Sequence, residues 1–139
     1  MIMSEQPTLK FLGHEVSRVV FERPLDFIHG EFEIKFEHLN HVNQDQINEF
    51  SAEMIVTIQS VDEKFNLQVQ FYGHFEINGN ASDSVLENFH YISAPTIIYP
   101  FIRAFVSNLT IQTGMNPIFI PTINFGSRYQ DKKRESQED

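Results

Sequence analysis

Between Phe65 and Ile77 the chain alternates with a period of two: Phe65, Leu67, Val69, Phe71, Phe75 and Ile77 against Asn66, Gln68, Gln70, Tyr72, His74 and Glu76. Successive side chains of a strand point to opposite faces, so this segment predicts a strand with one face on a core and excludes a helix. Gly73 takes one inward position, which predicts a bulge or the close approach of another backbone. Two earlier segments repeat the pattern. Phe32, Ile34 and Phe36 alternate with Glu33, Lys35 and Glu37, and Ala52, Met54, Val56 and Ile58 with Glu53, Thr57 and Gln59. The polar run His41 to Gln46 and the turn Asp62-Glu63-Lys64 join the three, which predicts an antiparallel meander with one apolar face. A further strand, over about His14 to Glu22, slips its alternation around Arg18 to Val20, as a bulge or burial on both faces requires. Residues 1 to 10 read as a loose lead-in. The segment Arg23 to Gly30 is too long for a tight hairpin and unusually apolar for a loop.

After the Asn78-Gly79-Asn80 turn the period changes. Ser82 or Asp83 caps a short helix whose Val85, Leu86 and Phe89 share a face. From Ala94 onward Ile98, Phe101, Ile102, Phe105 and Leu109 form one helical stripe, with Arg103, Ser107 and Asn108 turned away. Pro95 suits the first turn of this helix, and Pro100 either kinks it or resets its start. Thr113-Gly114 is a glycine stop, and Pro117 and Pro121 keep Ile118, Phe119, Ile120 and Ile123 extended as an irregular strap. Beyond Phe125 no apolar period is left, so residues 126–139 are expected to be a polar, disordered tail on a single domain of residues 1–125. The expected fold class is α+β: a four-stranded antiparallel sheet with a long amphipathic helix and a short helix on one face. A helix of roughly 16 residues reaches only about 24 Å, too short to cover that face. The uncovered apolar residues mark an interaction surface for self-association, for another polypeptide, or for both.

The formal net charge of −9 argues against nucleic acid, whose phosphates demand a basic surface. The chain has fourteen Phe, four Tyr and no Trp, much ring surface with few polar handles. Without cysteine there is neither a disulfide nor a thiolate site, and no segment has the length of a membrane span, so a cytoplasmic protein away from membranes is expected. Among the six histidines, His38-x-x-His41 lacks a third ligand at a convincing spacing. Ser17, Ser51 and Ser107 belong to no nucleophile motif and there is no phosphate loop, so neither an enzyme nor a bound cofactor or metal is expected.

Ala94-Pro95, Ile97-Ile98-Tyr99-Pro100-Phe101, Arg103, a glycine, two spaced prolines and the triplet Ile123-Asn124-Phe125 together resemble the C-terminal signature of the SecB family of protein-export chaperones. Phe21-Glu22-x-Pro24 and Gly73-x-Phe75-x-Ile77 extend the resemblance over about residues 12 to 125. It implies a homotetramer, a dimer of dimers, that holds unfolded preproteins without ATP in grooves of aromatic and aliphatic side chains. The residues it implies for the groove are Phe21, Pro24, Leu25, Phe27 and Ile28 from the segment after the first strand. Phe89, Tyr91, Tyr99, Met115, Ile118 and Phe119 join them from the helix junction and strap. The departure lies after Phe125, where export-dedicated members continue into a further helix and a tail that engages the SecA motor. SecA as a partner is therefore open, and a chaperone dedicated to an antitoxin of a toxin-antitoxin system is an alternative. A small apolar ligand held between sheet and helix is a third reading.

Overall fold

Four long strands carry the alternation, each bounded by the turn residues that end it. The computed structural model describes residues 6–27 and 30–137, and places β1 at Thr8–Glu22, β2 at Phe32–Asn43, β3 at Gln46–Ser60 and β4 at Asn66–Asn78. β2, β3 and β4 form the expected antiparallel meander, and β1 pairs antiparallel with β4, giving the order β1-β4-β3-β2. β1 is longer than the sequence suggests because Thr8, Leu9 and Lys10 continue the ladder against Asn78, Ile77 and Glu76. The lead-in expected over residues 1 to 10 is thus strand from Thr8 onward. Two register shifts, at Phe11/Gly13 and Val16/Arg18, account for the slipped alternation.

This strand order puts β1 and β2 on opposite edges, so the chain from Arg23 to Glu31 must cross the whole end of the sheet. Its apolar content follows from that path. The Phe27 ring stacks on Phe65 at 5.3 Å between centroids, while Phe21 and Phe32 meet the same ring at 5.7 and 5.1 Å. Arg23 fastens the crossover, donating to the Phe27 carbonyl at 2.6 Å and to the Thr113 carbonyl at the end of the long helix.

One face of the sheet is covered by helix. α1 (Asp83–Asn88), a π-helical turn (Phe89–Ser93) and α2 (Ala94–Gln112) follow without a break. Ser82 caps α1, its Oγ accepting from the Val85 N–H at 3.4 Å. The π turn has a physical cause in Pro95: a proline ring clashes with the carbonyl four residues before it and offers it no hydrogen, and a wider turn relieves both faults. The Ala94 N–H accordingly donates to the Phe89 carbonyl five residues back. Pro100 stays within α2, which runs on to Gln112. Gly114, at φ 89°, ends the helix as expected.

α2 sits on Gly73. A Cβ built there would lie 2.3 Å from the Ile98 Cγ2, so the inward glycine permits close approach of the helix. The buried ridge is Ile98, Ile102, Val106 and Thr110, with Tyr99 beside it. This is rotated from the expected stripe: Ile98 and Ile102 are shared, but Phe101 is 40% exposed and Phe105 and Leu109 are only half-buried. With Met54, Val56, Ile58, Leu67, Val69, Phe71 and Phe75, the ridge closes the core.

Residues Phe125–Gln137 form a third helix, α3, in place of the disordered tail expected from the sequence. Asn124 caps it, its Oδ1 accepting from the Ser127 N–H at 2.9 Å. The inner stripe is Phe125, Arg128 and Tyr129, with exposed Lys132 on the same side, so that an aliphatic stem and a tyrosine ring do the work of apolar side chains. Tyr129 stacks on Tyr91 at 5.2 Å and Lys133 pairs with Glu87 at 3.5 Å.

Candidate functional site

After Gly114 the strap turns back along α2. Hydrogen bonds fix it at successive points: Ile118 N–H to Thr110 Oγ1 at 3.0 Å, Arg103 Nε to the Ile120 carbonyl at 3.0 Å, and the Tyr99 hydroxyl to the Pro121 carbonyl. Arg103, turned away from the core stripe as the sequence suggests, thus holds the strap. This path leaves an open groove of about 260 Å³ between the inward side chains of β2, Phe32 and Ile34, and the strap residues Met115 to Phe119. Farther along β2, α3 lies over Phe36 and His38. Arg128 donates to the Phe36 carbonyl at 3.3 Å and stands 5.8 Å from the centre of its ring.

The sequence-expected groove residues separate into classes. Phe119, at 74% exposed, stands on the rim of the groove, and Met115 and Ile118 are buried with their flanks on its wall. Leu25 is 94% exposed at the tip of the crossover, with Pro24 half-buried behind it. Phe21 and Phe27 are half-buried in the aromatic cluster around Phe65. Tyr91 is exposed beside α3, and Phe89 is half-buried in the π turn. Tyr99 is buried, with Phe36 and Phe125 against its ring, and is a core residue of the subunit instead of a groove wall. Ile28 lies outside the described residues. Sequence reasoning missed Phe32, Ile34 and Phe36, which alternate inward on an edge strand that no described element fully covers. The signal was their period-two placement, but only the strand order shows that β2 is an edge.

Burial sets the electrostatics of this flank. His38 is pushed below its ordinary pKa by burial, against the raising effect of its hydrogen bond to Asn40 Oδ1 at 3.2 Å; Lys132, Arg128 and His90 lower it further. His90 is lowered by burial alone. The outer face of the sheet is polar. There the Tyr72 hydroxyl donates to Glu53 at 2.5 Å and holds its carboxyl below the usual range, outweighing burial.

None of these polar groups forms a reaction centre. His38 faces inward and His41 outward, since residues three apart on a strand point to opposite sides. They cannot share an ion, and no cluster of three metal-ligating side chains occurs among the described residues. Ser51 hydrogen-bonds His74 at 2.7 Å, and His74 meets Glu15 at 3.1 Å. This chain lies on an open sheet face. Ser51 is on a strand paired on both sides, so its backbone offers no free N–H to stabilise an oxyanion.

The model of the SecB family, described as preprotein translocase subunit SecB, matches residues 15–136. The chain belongs to the SecB family. The SecB match runs through α3, past the signature that ends at Phe125. Among curated relatives, the protein-export protein SecB of Mesorhizobium japonicum is 26% identical over 140 residues, covering 95% of this chain and 83% of the relative. That of Anaplasma marginale is 28% identical over 83 residues, covering 58% of this chain; the match spans 47%, about half, of that relative's length. The fold is that of a Mycobacterium tuberculosis SecB-like chaperone solved with a peptide from an antitoxin. The TM-score is 0.68 at 14% identity, over 83% of this chain and 90% of that one. No described helix is long and apolar enough to cross a membrane.

Proposed function

We propose that this protein is a cytoplasmic, ATP-independent chaperone that holds unfolded polypeptide segments, preproteins for export among them, in the groove between β2, the strap and the crossover. The observation that carries the reading is the open groove lined by Phe32, Ile34, Met115, Ile118 and Phe119, with Leu25 projecting at the crossover. Apolar burial is non-directional and accepts many sequences, whereas a hydrogen-bonded pocket selects one. A small apolar ligand between sheet and helix is disfavoured, because Ile98 on Gly73 fills that space.

The working form is a homotetramer. Val19 on β1 and Phe101 on α2, each 40% exposed, and half-buried Phe105 lie on a side of the subunit that no described element covers, which suits a second copy. The test is light scattering of a reduced, unfolded client. The protein should suppress aggregation at near-stoichiometric tetramer, equally with and without ATP; unchanged aggregation defeats the proposal. The antitoxin peptide in the Mycobacterium tuberculosis neighbour favours a second reading, a chaperone dedicated to one antitoxin. A toxin-antitoxin pair beside the gene, with no holding of unrelated clients, would favour that reading.

A further inference from the structure

The docking of α3 leaves a cavity of about 40 Å³ farther along β2, lined by Phe36, Met54 and Tyr91 together with His38, Arg128 and Lys132. The space is small and partly open to solvent, with room for a small polar group. No carboxylate lines it. Among the described residues neither Arg128 nor Lys132 forms an ion pair, although Lys133 beside them pairs with Glu87. Arg128 is nevertheless held in place by the Phe36 carbonyl and ring, so a ligand that meets it does not have to order it first.

We propose that this cavity is an anionic subsite of the groove, taking the carboxylate of an Asp or Glu side chain in an extended client segment whose apolar residue sits against the strap. The proposal rests on the groove reading above and adds a charge preference to it. The occupant follows from the lining, which is cationic at Arg128 and Lys132 and holds no carboxylate among the described residues. The overall charge of −9 does not oppose it, because charges more than about 8 Å away are largely screened at physiological salt while Arg128 and Lys132 stand at the site. Geometry sets the spacing. The apolar groove is centred near Phe32 and Ile34 and the cavity near Phe36 and His38, four residues along one strand. At about 3.4 Å per residue that is roughly 14 Å, four residues of an extended client.

The experiment uses the full chain and amidated, acetylated peptides of about ten residues that share a Leu-Phe core. Glu, Gln or Lys stands four residues before or after the core, and binding is read by fluorescence anisotropy at low and physiological salt. In one of the two orders Glu should bind about tenfold more tightly than Lys, with Gln between, and salt should narrow the gap. Lys132→Glu should abolish or invert the ranking and Lys132→Gln should flatten it, while Lys64→Glu, on the β3–β4 turn, should leave it alone. Circular dichroism checks that both Lys132 variants keep α3. Equal binding of all three peptides, tighter binding of Lys, or a Glu preference that Lys132→Glu does not change overturns the anionic subsite and leaves the groove standing. If no peptide binds at all, both fall.

Discussion

The two flanks of α2 are built from the same kinds of residue and finished differently. Toward β2 the strap and α3 fold back over the sheet, burying Ile118, Ile120 and Phe125 and leaving a groove with one rigid wall. Toward β1 no described element returns, so Phe101 stands half in solvent beside Phe11 and His14, and Val19 is equally exposed farther along β1. The difference comes from chain direction, because the glycine at Gly114 sends the strap to one side only. A bare flank suits a permanent partner, another copy of the chain. A channel already lined and fastened by Arg23 and Arg103 suits an exchanging one.

The contrast depends first on α2 being seated between the flanks. Gly73→Val should destabilise the subunit by about 3 kcal/mol, because the new side chain meets the Ile98 methyl. Urea unfolding reads this, and a loss below about 1 kcal/mol would mean that the helix is not held there.

Next comes the assignment of the flanks. Phe101→Glu should reduce the mass by light scattering toward that of a single chain while the subunit stays folded. Leu25→Ser with Phe119→Ser should keep the mass and weaken an unfolded client about tenfold, the equivalent of 1.4 kcal/mol. The opposite pairing of effects would exchange the roles of the two surfaces.

Finer still is the roof of the groove. Tyr129→Ala removes the stack on Tyr91 and should cost about 1 kcal/mol, read as faster amide exchange confined to α3. If exchange quickened across the sheet instead, α3 would be part of the core.

The smallest effect is with pH. His38 and His90 have folded-state pKa values below the ordinary 6.5, so the unfolded chain takes up more protons as pH falls through that value. Stability is complete above pH 6.5 and declines below it, first where α3 lies over His38. Amide exchange of α3 at pH 7.5 and 5.5 should show the loss, and His38→Gln should reduce it.

Much of this architecture was legible. The meander, the Ser82 cap and the Gly114 stop each rest on local periodicity or backbone chemistry, which neighbouring residues determine; at Gly73 the close neighbour is the Ile98 side chain, where the sequence suggested a bulge or another backbone. α3 was not legible, because its inner face is Arg128 and Tyr129 around one phenylalanine, and a search for apolar side chains passes over aliphatic stems. The Asn124 cap was the available signal. The rotation of α2 was also missed: Phe101 and Phe105 are more apolar than Thr110, yet Thr110 is buried because its hydroxyl bonds the Val106 carbonyl and the Ile118 N–H.

By itself, then, the order of residues determined which segments are strands, where helices start and stop, and that more apolar surface exists than a lone helix covers. These properties act over a few residues, through sterics and side-chain period. Only the tertiary structure decided that β1 and β2 lie on opposite edges, that the crossover must span the sheet end, and which flank of α2 the strap covers. Pairing across dozens of residues depends on the total burial each arrangement achieves, and no local pattern carries that sum.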